Sequence, residues 1–222
     1  LILPSLYDEE LIERANQLSS ALLSDVMGRK GAMDSEIKPA TKGKAVIGVA
    51  VTVDLEPGDN LYLHEAIYLC KQGYVIVADG KNHKQNAYLG ELMATAATLM
   101  GVEGIIIDGL VRDRSSLENI HLPIYAKGFI PNGPNKNGPG SINTPIDCGG
   151  VKVNPGDLIF GDEDGVVVVA KENVTEIIEL AEKKANYEKS RLDFLVSYSG
   201  RKLDADSVER IKPGFLKNRH RV

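Results

Sequence analysis

Between residues 74 and 108 the chain passes from a short apolar run through a helix-like stretch into a second apolar run, and few folds accommodate that order. Tyr74-Val75-Ile76-Val77-Ala78 reads as a buried strand, residues 91–100 as a helix and residues 104–108 as a second buried strand. Two such strands joined by a helix form a βαβ unit. Its strands lie parallel with a right-handed crossover, and its ligands collect beyond the strands' carboxyl ends. Asp79-Gly80 and Arg112-Asp113 are expected at those ends.

The rest of the chain supplies what such a unit needs around it. Residues 44–55, apolar on both faces, suit another central strand. Asp8 is placed to cap a helix reaching about residue 18, and Ser19 or Ser20 to start another through Met27, which gives an N-terminal helical arm over residues 1–30. Pro57-Gly58-Asp59-Asn60 turns the chain into a helix over residues 61–71. Residues 129–140, crowded with Gly, Pro and Asn, read as a long surface loop. Short strands at 146–153, 157–160 and 166–170 suggest a second, antiparallel sheet. A C-terminal helix over about 172–197 follows, with an apolar stripe at Val174, Ile177, Ile178 and Ala181. The triplet Pro-Gly-Asp, at 57–59 and again at 155–157, reads as turn chemistry used twice. Residues 1–200 are expected to form a single α/β domain and residues 201–222 a basic-leaning tail whose lysines and arginines alternate with Asp204, Asp206 and Glu209.

With 43% hydrophobic residues the chain can bury a full core. A net charge of −5 argues against nucleic acid as the main partner, because phosphate binding needs a concentrated basic surface. Without an eighteen-residue apolar run or a signal sequence, no membrane association is expected. Cys70 and Cys148 have neither disulfide-framework nor zinc spacing, so a reduced, cytoplasmic setting is expected.

Two places carry chemistry. At the start of the 91–100 helix, Gly90 permits close backbone approach, and the unpaired N–H groups of Glu91, Leu92 and Met93 suit an anion; the Leu92 and Met93 side chains are expected in the core. Just past the next strand, Arg112 can grip a carboxylate in bidentate fashion and Asp113 can offer an oxygen to Mg²⁺ or Mn²⁺. A 2-oxo acid would complete such a metal's shell through its carboxylate and keto oxygens. The same residues also suit an ordinary glycine-initiated helix and a salt-bridged pair at a strand end. Other signals are weaker. His64, His83, His121 and His220 lack metal spacing, Ser115-Ser116 lacks a nucleophile elbow, no glycine-rich nucleotide loop opens a helix, and Asp162-Glu163-Asp164 reads as an acidic turn closed by Gly165.

Taken together, these segments resemble the family that joins the regulator of ribonuclease activity A to the divalent-metal 4-hydroxy-4-methyl-2-oxoglutarate (4-carboxy-4-hydroxy-2-oxoadipate) aldolases, some members of which are labelled demethylmenaquinone methyltransferase. The likeness lies in residues 23–27, 48–53, 57–60, 90–97, 108–113, 149–157 and 161–166, with Glu91 separated by twenty residues from the Arg112-Asp113 pair. The resemblance implies a three-layer swivelling β/β/α fold, assembled as trimers or hexamers with the site at a protomer interface. It also implies a pyruvate carboxylate on the amides of Gly90, Glu91, Leu92 and Met93, Arg112 on the carboxylate or keto oxygen, Asp113 as metal ligand, and Glu91 ordering a water of the metal. The implied activity is lyase chemistry through a pyruvate enolate, by aldol cleavage or oxaloacetate decarboxylation. A non-catalytic, protein-binding regulator of ribonuclease activity is the alternative. The chain departs from the aldolase pattern at Ser116, where a further acidic residue is usual, and this bears on the substrate rather than on the enolate core. A neighbouring protomer's C-terminal helix, through Glu182 or Glu188, is a candidate source of an added acid.

Overall fold

The computed structural model describes residues 2–43 and 45–217; His220 and the end of the tail lie outside the described residues. By its internal contacts the chain divides into two units, Leu1–Ala181 and Glu182–Val222. The first contains α1 (Glu9–Ala15), α2 (Ser20–Val26), β1 (Lys38–Pro39), β2 (Val46–Leu55), α3 (Leu61–Leu69), β3 (Tyr74–Leu89), α4 (Glu91–Met100), β4 (Gly104–Val111), α5 (Arg114–Leu117), β5 (Ile124–Ala126), β6 (Gly140–Ile142), β7 (Ile146–Cys148), β8 (Val151–Val153), β9 (Leu158–Asp162), β10 (Gly165–Val169) and the start of α6 (Val174–Val196). The second holds the rest of α6, with Glu188 paired to Lys184, then α7 (Ala205–Ile211) and α8 (Gly214–Lys217). Among the described residues no helix is long and apolar enough to cross a membrane.

The main sheet runs β1-β5-β4-β3-β2-β9-β10, with β6 paired to the end of β2. Its centre, β2 through β5, is parallel, and β1, β9 and β10 flank it antiparallel. The expected βαβ unit is β3-α4-β4, opening with Val75 opposite Gly104. Because the central strands are apolar on both faces, both must be covered. On one side Leu63, Ala66 and Ile67 of α3 and Met93, Ala94 and Ala97 of α4 pack on Val51, Ile76 and Ile105. On the other, Ile146, Cys148 and Val153 of the β7/β8 hairpin pack on Ala50, Val75, Val77 and Ile106. Hairpin, sheet and helices are the three layers of a β/β/α arrangement.

The helical arms pack at the β9/β10 edge. Ala15, Val174 and Ile178 meet Leu158 and Val169, and Leu23 and Ala181 meet Phe160 and Val167. The acidic turn has a structural task here. Asp162 accepts the Ser20 amide at 2.8 Å and the Ser20 hydroxyl at 2.7 Å, satisfying the start of α2.

Three expectations change. The stretch 146–153 is not one strand but folds back at Gly149-Gly150, whose φ angles of +57° and +75° suit a tight hairpin turn. The second antiparallel sheet is this hairpin alone, because β9 and β10, buried along most of their length, extend the main sheet. Finally, β3 does not stop at Ala78. It continues through register shifts and two left-handed residues, Lys81 and Asn82, to Leu89, so Asp79-Gly80 lies inside a strand.

Candidate functional site

The end of β3 and the end of β4 are joined by a backbone bond, Arg112 N–H to the Leu89 carbonyl at 2.9 Å, which sets the 90–93 helix start beside Arg112-Asp113. Asp113 has left-handed backbone geometry (φ +63°), and its Oδ2 accepts the Glu91 N–H at 3.0 Å. The Glu91 amide is therefore not open, as expected from the sequence, but is taken by Asp113. The amides of Leu92 and Met93 belong to the same first turn, where a helix offers no acceptor of its own. Arg112 Nε lies 3.9 Å from Asp113 Oδ2. A Cβ on Gly90 would collide with Asp113 Oδ2 and stand 3.0 Å from Arg112 Cγ, and one on Gly133 would stand 3.0 Å from an Arg112 terminal nitrogen. The arginine thus stretches from the helix start to the 129–140 loop, with glycine at both ends.

These groups line one cleft of about 280 Å³. Gly90, Glu91, Leu92, Met93, Arg112 and Asp113 are all on its wall, and Asn60, His64, Tyr88, Leu89, Pro134 and Lys136 complete it. The six residues expected at the helix start and the Arg112-Asp113 pair are brought together here. Asp79 is not: it lines a second cleft with Asp54, Lys81 and Asp108. Leu92 also departs from expectation. Its side chain is 87% exposed, because α4 buries only the stripe Met93, Ala94 and Ala97, and Leu99 on the same outer side is 82% exposed.

Asn60, His64 and Lys136 were not anticipated. Asn60 donates to the Tyr88 carbonyl at 2.8 Å and to the Met93 sulfur at 3.2 Å, while its buried Oδ1 has no hydrogen-bond partner among the described residues. Burial, together with the nearby Lys136 ammonium, lowers the pKa of His64, so its imidazole is neutral at pH 7. No local spacing announces these residues. The only hint is a loop too long to be idle.

Among the described residues no cluster of three or more His, Cys, Asp or Glu side chains could enclose a metal. One exposed-side carboxylate, Asp113, beside an open cleft fits a cation that keeps several waters and takes further oxygens from its substrate, as Mg²⁺ and Mn²⁺ do. It does not fit zinc, which takes three or four protein ligands.

The chain matches the RraA-like family, described as Aldolase/RraA, over residues 6–168. A relative from Halalkalibacterium halodurans, provisionally named a 4-hydroxy-4-methyl-2-oxoglutarate aldolase, is 35% identical over 182 residues, covering 82% of this chain and 87% of the relative. The crystal structure of Streptomyces coelicolor RraAS2, described as an unusual member of the RNase ES inhibitor RraA family, is 27% identical with a TM-score of 0.75 over 84% of this chain and 98% of that one. A Geobacillus kaustophilus structure named S-adenosylmethionine:2-dimethylmenaquinone methyltransferase is 30% identical with a TM-score of 0.65, over 69% of this chain and 96% of that one. Three unlike activities are named on one fold, so the residues of the cleft must decide between them.

Proposed function

The chain belongs to the RraA-like aldolase family, and from that membership we propose that it is a divalent-metal-dependent lyase releasing pyruvate from a small 2-oxo acid, by aldol cleavage, oxaloacetate decarboxylation or both. The observation that carries this reading is the meeting of a helix start, Arg112 and Asp113 on one cleft wall.

The substrate carboxylate would lie against the Leu92 and Met93 amides, where hydrogen-bond donors and the helix dipole favour an anion. Arg112, held in line by its neighbours Gly90 and Gly133, would donate to the carboxylate or keto oxygen and stay in place as charge builds there. Asp113 would hold Mg²⁺ or Mn²⁺, and Glu91 would position a water near it. When bound, the cation supplies Lewis-acid stabilisation of an enolate. In the reaction the C3–C4 bond breaks and its electron pair forms the enolate of pyruvate; in aldol cleavage the C4 hydroxyl gives up its proton as the departing group leaves as a carbonyl compound, in decarboxylation the C4 carboxylate leaves as carbon dioxide, and a proton then returns to C3. Lys136 adds a second positive charge to the cleft, suited to an anionic substituent on the departing side.

A homotrimer or homohexamer with the site at a protomer boundary belongs to the same proposal. Support comes from Leu92 and Leu99, large apolar side chains exposed on the helix that opens the cleft. The similarity to RraAS2 supports a second reading, a protein-binding regulator without catalysis. Asp113 discriminates poorly between the two because it also serves the Glu91 amide. Arg112, aimed along the cleft, is the better discriminator.

The test is pyruvate release from oxaloacetate and from 4-hydroxy-4-methyl-2-oxoglutarate with Mg²⁺ or Mn²⁺, then with EDTA, in the wild type, Asp113→Ala and Arg112→Ala. Each variant is expected to lose roughly a hundredfold or more in turnover while remaining folded. Undiminished release in both variants sinks the site; no release from the wild type, with a stable complex to a ribonuclease, moves the reading to the regulator.

A further inference from the structure

The cleft loop is held by a residue that does not line the cleft. Asp59, in the Pro57-Gly58-Asp59 turn, is only 4% exposed. Its Oδ1 accepts the Leu61 N–H at 2.9 Å, at the start of α3, and its Oδ2 reaches across to accept the Asn137 N–H at 2.5 Å. On the other side of Lys136, Asn135 is tied to the same turn through its backbone, donating to the Gly58 carbonyl at 2.8 Å and accepting the Asn60 N–H at 3.0 Å. Lys136 is therefore suspended between two attachments, one made by main chain alone and the other by the Asp59 carboxylate. Burial works against the charge on Asp59, yet the Asn137, Leu61 and Gly138 amides and the Lys136 ammonium outweigh it and keep the carboxyl below its ordinary range.

We infer that Asp59 is a positioning residue for the cleft, fixing the reach of Lys136 by clamping Asn137. The inference rests on the lyase reading for its kinetic consequence, but the clamp itself does not. The molecule contains its own control. The second triplet, Pro155-Gly156-Asp157, ends in an aspartate that is 1% exposed and accepts the Asn154 N–H at 2.7 Å and the Lys171 N–H at 3.1 Å. Sequence motif, burial and bond type are shared; contact with the 129–140 loop is not. If such a carboxylate did no more than support a turn, the two positions would respond alike.

The experiment compares Asp59→Asn, Asp157→Asn, Lys136→Met and the Asp59→Asn/Lys136→Met double variant, with two readouts. By hydrogen exchange, Asp59→Asn is expected to expose the amides of 135–138 while Asp157→Asn leaves them protected. By kinetics on oxaloacetate with Mg²⁺, Asp59→Asn is expected to raise KM about tenfold with a smaller change in kcat, and to add less than about twofold once Lys136 is already Met. Unchanged loop exchange in Asp59→Asn overturns the inference, as does a KM increase equally large in the Lys136→Met background. A wild type that turns over no 2-oxo acid would defeat the lyase reading alone, because loop exchange still decides whether Asp59 is the clamp.

Discussion

Gly90 is the residue on which most of the cleft geometry depends, and the reason is space rather than backbone freedom. Its φ of −142° is ordinary extended chain that any residue adopts, but a methyl group there would overlap the Asp113 carboxylate and press on Arg112. Gly90→Ala is therefore expected to melt within a few degrees of the wild type while losing about tenfold or more in pyruvate release, since a small displacement of positioned groups is costly to a reaction. A melting scan beside the release assay checks it, and a fall in both together would mean that the glycine serves the fold instead. Gly90, Arg112 and Asp113 could be picked out in the sequence because they are close to one another along a βαβ unit. Asn60, His64 and Lys136 could not, because they arrive from a turn, a helix and a loop whose meeting depends on long-range contacts such as Asp59 with Asn137.

Between elements, the most consequential polar contact away from the cleft is Lys127, which follows β5 and has a side chain only 5% exposed. Its ammonium lies 3.0 Å from Asp34, ahead of β1, and 2.8 Å from Asp108 Oδ1 in β4, an ion pair without hydrogen-bond alignment at the latter. Burial opposes its protonation, but the two carboxylates prevail and raise its pKa above the ordinary 10.5. Lys127→Met would leave Asp108 buried without its cation, a loss on the order of 3 kcal/mol. A group whose pKa is raised by folding stabilises fully below its unfolded value and loses that contribution as pH climbs through the folded one. The gap in unfolding free energy between wild type and Lys127→Met should thus be constant from neutral pH to 10.5 and narrow above it. Denaturant titrations across that range check the sign, and a gap that widens with pH would contradict it. Element identity could be read from apolar periodicity, which marked β2, α4, β4 and α6 closely. Element ends could not: the polar run after Ala78 reads as a strand's finish, whereas the chain there stays in the sheet, with His83, Ala87 and Leu89 pairing with Gly109, Leu110 and Val111 of β4. Gly149-Gly150 carried the hairpin signal, obscured by apolar residues on both sides.

The whole first unit is a layered body in which one long strand, β3, serves two clefts: Asp79 faces the acidic one and its last residues, Tyr88 and Leu89, face the other. The three layers follow from a sheet that is apolar on both faces, and the hairpin and helices are what the chain has available to cover it. The loop over residues 129–140 has the composition of a segment that a protease would open first. Its attachments forbid that. The Ala87 amide holds the Asn132 carbonyl at 2.8 Å, the Asn86 amide group holds Gly133 at 2.6 Å, and the turn at 58–60 grips the backbone on both sides of Lys136. Trypsin must draw several residues into extended form to cut, and this backbone cannot follow. Cleavage is expected to begin at Arg201 and Lys202, both exposed in the second unit, and to spare the Lys136–Asn137 bond until the first unit unfolds. Mass spectrometry of a timed digest checks the order, with an early cut at Lys136 as the contrary result. A segment that composition marks as a spacer would then persist as a trypsin-resistant loop.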